Sequence, residues 1–239
     1  MVSSVPAKRI SIAVDEAVRV SGLLQEPEAA RARFVLAHGA GAGMEHPFMV
    51  AVAAGLAVRG IASLRYQFPF MERQIKRPDP PQVAQATVRA VVTRALDQLP
   101  DVPLIAGGKS FGGRMTSQAQ AKAPLPGVCG LVFLGFPLHP VGHPSRDRAQ
   151  HLFQVQIPML FLQGTRDRLA SIDEINTVCE KLGDRAKLKI FENADHSFHI
   201  PARFGRTDVQ VLGDLLDAFA TWLDDLIVPT GPRPQPNMD

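Results

Sequence analysis

The stretch Gly108-Lys109-Ser110-Phe111-Gly112 decides the fold of this chain. It follows the short apolar run 104–106 and opens a helix-compatible stretch that ends near Ala123. In a G-x-S-x-G pentapeptide, a sharp strand-to-helix turn brings the residues two places either side of the serine into contact, and glycine has no Cβ to collide there. The pattern therefore indicates a serine with nucleophilic chemistry.

Short apolar runs alternate with longer helical patterns on both sides of this turn. Such alternation is typical of a parallel sheet covered by helices. The predicted parallel strands are 34–37, 61–64, 104–106, 129–136 and 159–162, with an antiparallel pair at 10–14 and 18–24 before them and a half-exposed edge strand at 186–191. The sequence thus predicts an α/β fold, a three-layer sandwich around a mostly parallel central sheet.

Three predicted helices carry start signals. Asp79 stands before two prolines as a capping carboxylate, Ser171 opens a capping box with Glu174, and the last helix begins near Thr207. We find no internal repeat. We therefore expect one α/β domain over residues 1–228 and a disordered proline-rich tail over residues 229–239.

Composition limits the function classes. The 239 residues are 46% hydrophobic and 21% charged, as in ordinary globular proteins. The net charge of +3, with scattered basic residues, is too small for a nucleic-acid-binding surface. Residues 1–15 lack the apolar core of a secretory signal, and the longest apolar stretches are far shorter than a bilayer span. We expect a cytoplasmic protein with no membrane or nucleic-acid partner.

Three further polar features follow other predicted strands, at the sheet edge where ligands bind in open α/β folds. His38 opens the glycine-rich run 38–43, Asp167 follows a parallel strand, and His196 follows the edge strand. Backbone N–H groups of a glycine-rich run can approach a ligand closely. A serine, an acid and a histidine after separate strands indicate nucleophilic catalysis.

Two other carboxylates, Glu192 and Asp195, compete with Asp167 for the acidic role. Asp195 is adjacent to His196, so its side chain would usually point away from the imidazole. Asp167 arrives from a neighbouring strand end and is the stronger candidate.

The residues Gly108-Lys109-Ser110 also match the end of a phosphate-binding loop, G-x-x-x-x-G-K-[ST]. That motif needs a glycine at position 103, where this chain has Pro103, which also lacks a backbone N–H. No acidic residue immediately follows the next apolar strand. The pattern does not support nucleotide binding.

A metal site built from His139, His143 and His151 is similarly disfavoured. The spacing fits no standard site, and Pro140 and Pro144 favour an irregular loop. We expect no metal and no organic cofactor.

Over roughly residues 10–227, the order of serine, acid and histidine after separate strands resembles the α/β-hydrolase family, in particular small members similar to dienelactone hydrolases. Dienelactone hydrolases use a cysteine nucleophile, whereas position 110 is serine. A closer resemblance is to testis-expressed hydrolase-like proteins and to a subunit of a histone acetyltransferase complex. It rests on residues 64–72, 77–81, 135–140 and 194–198.

The resemblance implies that Ser110 attacks an acyl carbonyl, that His196 moves the proton, and that Asp167 orients the imidazole. The backbone N–H groups of Phe111 and Ala40 would form the oxyanion hole. We expect a serine esterase acting on a small-molecule ester, as a monomer or homodimer. A thioesterase is the alternative within this chemistry, and a non-catalytic binding scaffold is the alternative from another class.

Only about twenty residues, 136–157, stand where many relatives insert a lid. We therefore expect minimal or no lid, with residues 137–151 as a partial cover, and an open cleft suited to small or protruding esters. Side chains near the strand ends are predicted to line or flank this pocket: His38, Gly39, Met44, Phe48, Arg65, Tyr66, Phe68, Phe70, Lys109, Phe136 and Leu138.

Overall fold

Eight strands form one central sheet in this computed structural model, which describes residues 5–98 and 102–227. The strands are β1 (Lys8–Ala13), β2 (Arg19–Gln25), β3 (Ala32–Ala37), β4 (Ile61–Tyr66), β5 (Leu104–Lys109), β6 (Val128–Leu134), β7 (Met159–Gly164) and β8 (Ala186–Phe191). The helices are α1 (Pro47–Val58), α2 (Pro69–Glu72), α3 (Pro81–Gln98), α4 (Phe111–Lys122), α5 (Ile172–Leu182) and α6 (Asp208–Ile227). The tail predicted at residues 229–239 lies outside the described residues.

The strands lie in the spatial order β1-β2-β4-β3-β5-β6-β7-β8. The pairs β1–β2 and β2–β4 are antiparallel, and all later pairs are parallel. The predicted antiparallel pair, parallel strands and edge strand are confirmed. The predicted strand at 129–136 stops at Leu134, because Gly135 takes a φ of 74° that turns the chain out of the sheet.

Helices cover both faces of the sheet, as the three-layer prediction requires. One apolar core packs Leu56 of α1 and Phe219 of α6 against one face. The other core packs Val91 of α3, Met115 of α4 and Val178 of α5 against the opposite face. Within the described residues, no helix is long and apolar enough to cross a membrane.

The helix-start signals hold at α5 and fail at α3. Ser171 accepts a hydrogen bond from the Glu174 N–H, and the Glu174 carboxylate accepts one from the Ser171 N–H, which is the predicted capping box. Asp79 does not cap α3. Its carboxylate accepts a hydrogen bond from the Phe70 N–H at 2.7 Å and pairs with Arg73. The prediction was wrong because the helix begins only at Pro81, which leaves Asp79 one residue before the N-cap position with its carboxylate bound to Phe70 and Arg73.

Helix α1 has no counterpart among the sequence-based predictions. Its residues are apolar on most faces, so the pattern lacks the one-sided periodicity that identifies a surface helix. His46 caps it by accepting a hydrogen bond from the Phe48 N–H at 3.3 Å. The glycine-rich run 38–43 lies in the loop that leads from the carboxyl end of β3 to this helix.

Candidate active site

Ser110 lies at the sharp turn between β5 and α4. Its backbone has φ 50° and ψ −115°, which is unusual for a residue other than glycine. Strain of this kind persists only where surrounding structure holds it, and it concentrates at functional sites. The turn lifts Ser110 out of the sheet at the carboxyl end of a central strand.

The two flanking glycines let this turn press against β3. Gly108 pairs with Ala37 in the sheet and has φ 150°, and a Cβ on Gly108 would lie 2.2 Å from the Ala37 carbonyl oxygen. A Cβ on Gly112 would lie 2.5 Å from the His38 carbonyl oxygen. Real Cβ atoms do not approach backbone this closely, so the pentapeptide needs glycine at both places.

We expect the Gly112→Ala variant to lose about 1–3 kcal/mol of unfolding free energy, because the new methyl group collides with the end of β3. Urea unfolding followed by circular dichroism measures the change. Gly213→Ala is the matched control, since it is also helical and a Cβ there meets no heavy atom within 4 Å. Alanine should leave that site neutral or stabilise it by up to about 1 kcal/mol. Equal losses in both variants would contradict the close approach.

His196 lies in the loop after β8 and contacts the acid predicted for it. The distance between His196 Nδ1 and Asp167 Oδ2 is 2.6 Å. The Asp167 side chain is fully buried, and it also accepts hydrogen bonds from Gln163 Nε2 and the Leu169 N–H. A carboxylate held by several donors keeps its orientation. Because His196 binds it through Nδ1, the other ring nitrogen, Nε2, can face a substrate or nucleophile.

The competing carboxylate of Asp195 faces elsewhere. Its Oδ1 accepts hydrogen bonds from the backbone N–H groups of Ser197 at 2.7 Å and His199 at 3.0 Å. These bonds shape the loop that carries His196. The geometry therefore joins His196 to Asp167 and gives Asp195 a different contact.

The two N–H groups predicted to bind an oxyanion belong to the residue after Ser110 and to a residue of the cleft lining. Phe111 is the first residue of α4, where no intrahelical acceptor exists for its N–H. Ala40 lies in the loop after β3. Within the described residues, neither N–H donates a hydrogen bond to a protein acceptor. The helix N-terminus adds a positive partial charge at the same point.

His38 holds the direction of the Ala40 N–H. His38 Nδ1 donates to the Gly39 carbonyl at 2.8 Å, and Nε2 accepts from the Phe68 N–H at 3.0 Å. Burial lowers the pKa of His38 to about 4, so the neutral imidazole makes both bonds. The Gly39 carbonyl and the Ala40 N–H belong to one planar peptide unit, so fixing one fixes the other.

A cleft of about 340 Å³ opens at this edge of the sheet. It contains the serine, the histidine and the loop after β3 together. Its lining consists of Gly39, Ala40, Gly41, Ala42, His46, Phe48, Met49, Lys109, Ser110, Leu169, His196 and Ser197. A larger open groove of about 610 Å³ runs along β8 and α6, but none of Ser110, Asp167 and His196 lines it. The smaller cleft is therefore the candidate active site.

A profile of the α/β-hydrolase domain family matches residues 30–224, which is most of the chain. The chain belongs to the α/β-hydrolase family. The match includes the turn at Ser110 and the loops that carry Asp167 and His196.

Solved structures agree on this fold. A lidless α/β serine hydrolase from Xanthomonas campestris matches with a TM-score of 0.72 and 20% identity, covering 95% of this chain and 97% of that one. A dienelactone hydrolase from Anabaena variabilis matches with a TM-score of 0.73 and 22% identity, covering 93% and 98%. Est1E from Butyrivibrio proteoclasticus matches with a TM-score of 0.71 and 16% identity, covering 92% and 98%.

The prediction of a minimal lid on this α/β-hydrolase is confirmed. Between β6 and β7 the described chain forms only loops and the 3-10 segment Asp147–Gln154. The N–H groups of Leu138 and His139 donate to the Leu169 carbonyl, which ties this cover to the loop after β7. The cleft consequently stays open to one side.

The structure corrects part of the predicted pocket of this hydrolase. Gly39, Phe48 and Lys109 line the cleft, but eight other predicted residues do not. These eight are buried and absent from the lining: His38, Met44, Arg65, Tyr66, Phe68, Phe70, Phe136 and Leu138. The aromatic members pack edge to face beneath the turn, where ring contacts stabilise the core.

Arg65 is also buried, with its guanidinium donating to the Met44 carbonyl at 3.2 Å. Four residues of the cleft lining were not predicted from the sequence: His46, Met49, Leu169 and Ser197. The unpredicted helix α1 explains the first two. Leu169 stands two residues after Asp167, and Ser197 directly follows His196, so proximity in the sequence could have indicated both.

The three histidines considered as metal ligands make separate contacts. His139 Nε2 lies 3.0 Å from Glu174 Oε2, His151 Nε2 lies 2.7 Å from Ser117 Oγ, and His143 is exposed. Within residues 5–98 and 102–227, no group of three or more His, Cys, Asp or Glu side chains could hold a metal ion.

Proposed function

We propose that this α/β-hydrolase is a serine hydrolase that cleaves carboxylic esters through an acyl-enzyme intermediate. One observation carries the proposal. Ser110 and His196 line the same cleft, and the 2.6 Å contact of His196 with buried Asp167 orients the imidazole. Nucleophile, base and orienting acid follow three separate strands, and together they supply the three roles that nucleophilic catalysis by serine uses.

In the proposed first step, Ser110 Oγ attacks the acyl carbonyl carbon while His196 Nε2 takes the hydroxyl proton. The carbonyl oxygen becomes an oxyanion that accepts hydrogen bonds from the N–H groups of Phe111 and Ala40. The carbon–oxygen bond to the alcohol then breaks, and His196 gives its proton to the leaving alcohol. Water repeats the sequence on the acyl-Ser110 ester and releases the acid.

Within the described residues, Ser110 Oγ makes no hydrogen bond to His196, although both residues line the cleft. Such bonds are often long in unliganded enzymes and shorten when substrate binds. The similar structures support the general reaction, since they include a serine hydrolase and a dienelactone hydrolase. The choice of a carboxylic ester is our own proposal.

Covalent labelling tests the proposed nucleophile. A fluorophosphonate probe should label the wild-type protein at a single site, and peptide mass spectrometry should locate the adduct on Ser110. Phosphonylation by the probe, in which the serine oxygen displaces fluoride from phosphorus, needs an activated serine, so a folded but unreactive protein would favour the non-catalytic scaffold. An adduct on another serine would contradict the assignment of Ser110.

The open cleft also predicts the size of the acyl group. Phe48, Met49 and Leu169 form its apolar walls, and these walls do not enclose a tunnel. On a series of 4-nitrophenyl esters, we expect kcat/KM to be highest for acyl chains of about two to four carbons and to fall by at least about 10-fold at about twelve carbons. A maximum at the longest chains would contradict the open-cleft interpretation.

A further inference from the structure

Lys109 brings a positive charge to the wall of the candidate active site. It immediately precedes the nucleophile and lines the same cleft. A Cβ built on Gly39 would lie 3.6 Å from Lys109 Cγ and 3.8 Å from Ser110 Cβ. The lysine stem and the serine therefore flank the same point of the loop after β3.

The ammonium of Lys109 makes no ion pair with a carboxylate of the described residues. Its Nζ donates a hydrogen bond to the His196 carbonyl and lies 5.4 Å from the centre of the Phe198 ring. An ammonium group has three N–H donors, and the carbonyl uses one of them. Two N–H donors of this ammonium therefore have no protein acceptor within the described residues.

The nearest carboxylates are committed to other partners. Asp167 binds His196, Gln163 and the Leu169 N–H, and Asp195 binds backbone N–H groups of its own loop. Neither carboxylate lines the cleft, and the described lining contains no acidic side chain at all. Within the described lining, Lys109 is the only lysine or arginine, and Asp167 and Asp195 act on its charge from outside the cleft.

Apolar surroundings make this charge more effective towards a bound anion. Phe48, Met49 and Leu169 line the same space, and an interaction between charges strengthens as water is excluded. Burial lowers the pKa of Lys109 to about 8, while Asp167 and Asp195 act in the opposite direction. Lysine is still mostly protonated at neutral pH, and a bound carboxylate would offset its desolvation.

We propose that Lys109 selects esters that carry a carboxylate close to the scissile bond. This inference rests on the proposed function of Ser110. It makes Lys109 a specificity-determining residue, and it assigns to the cleft a substrate class with one negative charge.

Two matched substrate pairs test the proposal, because they differ in charge and little in shape. The first pair is 3-acetoxybenzoate and 3-acetoxybenzamide, which carry the charge on the alcohol side. The second is the 4-nitrophenyl half-ester of adipic acid and its terminal amide, which carry it on the acyl side. We expect the wild type to prefer the anion by about 10-fold in kcat/KM in at least one pair.

Three variants separate charge selection from other roles. Lys109→Met should abolish the preference by raising KM for the anion while turnover of the neutral amide persists. Lys109→Arg should retain part of the preference. Lys187→Met removes the same charge from the exposed edge strand, where Lys187 pairs with Asp225, and should leave the preference unchanged.

Other outcomes would overturn the inference. Equal kcat/KM for both members of both pairs in the wild type would do so. So would a Lys109→Met variant that loses activity on anion and amide by the same factor, since that result assigns Lys109 to positioning His196 alone. Failure of the proposed function is distinguishable, because the wild type would then hydrolyse none of the four esters.

Discussion

The Ser110→Ala variant is expected to lose about 10⁴-fold or more in kcat on an activated aryl ester, since removal of Oγ leaves no group to form the acyl-enzyme. Removing a catalytic nucleophile typically has an effect of this order, and the remaining rate comes from binding and the oxyanion donors. The rate of 4-nitrophenol release from 4-nitrophenyl acetate at saturating substrate gives kcat. Loss of fluorophosphonate labelling provides an independent readout.

Ser117→Ala is the matched control for this experiment. Ser117 is a second serine of α4 that contacts a histidine, but it is fully buried and its hydroxyl also donates to the Arg114 carbonyl. We expect that variant to keep kcat within about 10-fold of wild type. Full hydrolysis by Ser110→Ala, or a collapse of activity only in Ser117→Ala, would exclude Ser110 as nucleophile.

The Asp167→Asn variant should lower kcat by roughly 10³- to 10⁴-fold, because an amide can neither fix the imidazole tautomer nor stabilise the imidazolium. The 2.6 Å contact with His196 and the complete burial of the carboxylate make this loss hard to compensate with water. Circular dichroism should remain that of the wild type, since the asparagine oxygen can keep the hydrogen bond from the Leu169 N–H and only the bond from Gln163 Nε2 is lost.

Asp195→Asn tests the competing acid with the same chemical change. Its Oδ1 accepts two backbone hydrogen bonds that an asparagine oxygen can also accept. We therefore expect less than about a 10-fold loss in kcat. If Asp195→Asn were as damaging as Asp167→Asn, the assignment of the orienting acid would have to be reversed.

The fold was predictable because its sequence signals are local. Each buried parallel strand is a short apolar run, and the turn at Ser110 needs glycine at 108 and 112, where a side chain would strike β3. Ser171 binds the N–H three residues ahead, an interaction that depends on no distant part of the chain. The proximity of Asp167 and His196 followed from adjacent parallel strands ending at one edge.

The walls of the cleft were harder to predict because they depend on packing between distant segments. Phe68 and Phe70 are aromatic and close in sequence to the site, yet they fill the space beneath His38. Met49 comes from α1, whose uniform hydrophobicity hides its helical period. The Asp79 carboxylate binds the Phe70 N–H and does not cap the helix that follows it, and no local sequence pattern predicts that contact.

The position of β8 at the edge of the sheet gives the reaction groups unequal mechanical support. Ser110 and the proposed oxyanion donors follow β5 and β3, which are paired on both sides, whereas His196 follows a strand paired on one side alone. Edge elements open locally at lower free energy than central ones. We therefore expect the proposed general base to be held by a less stable part of the sheet than the proposed nucleophile.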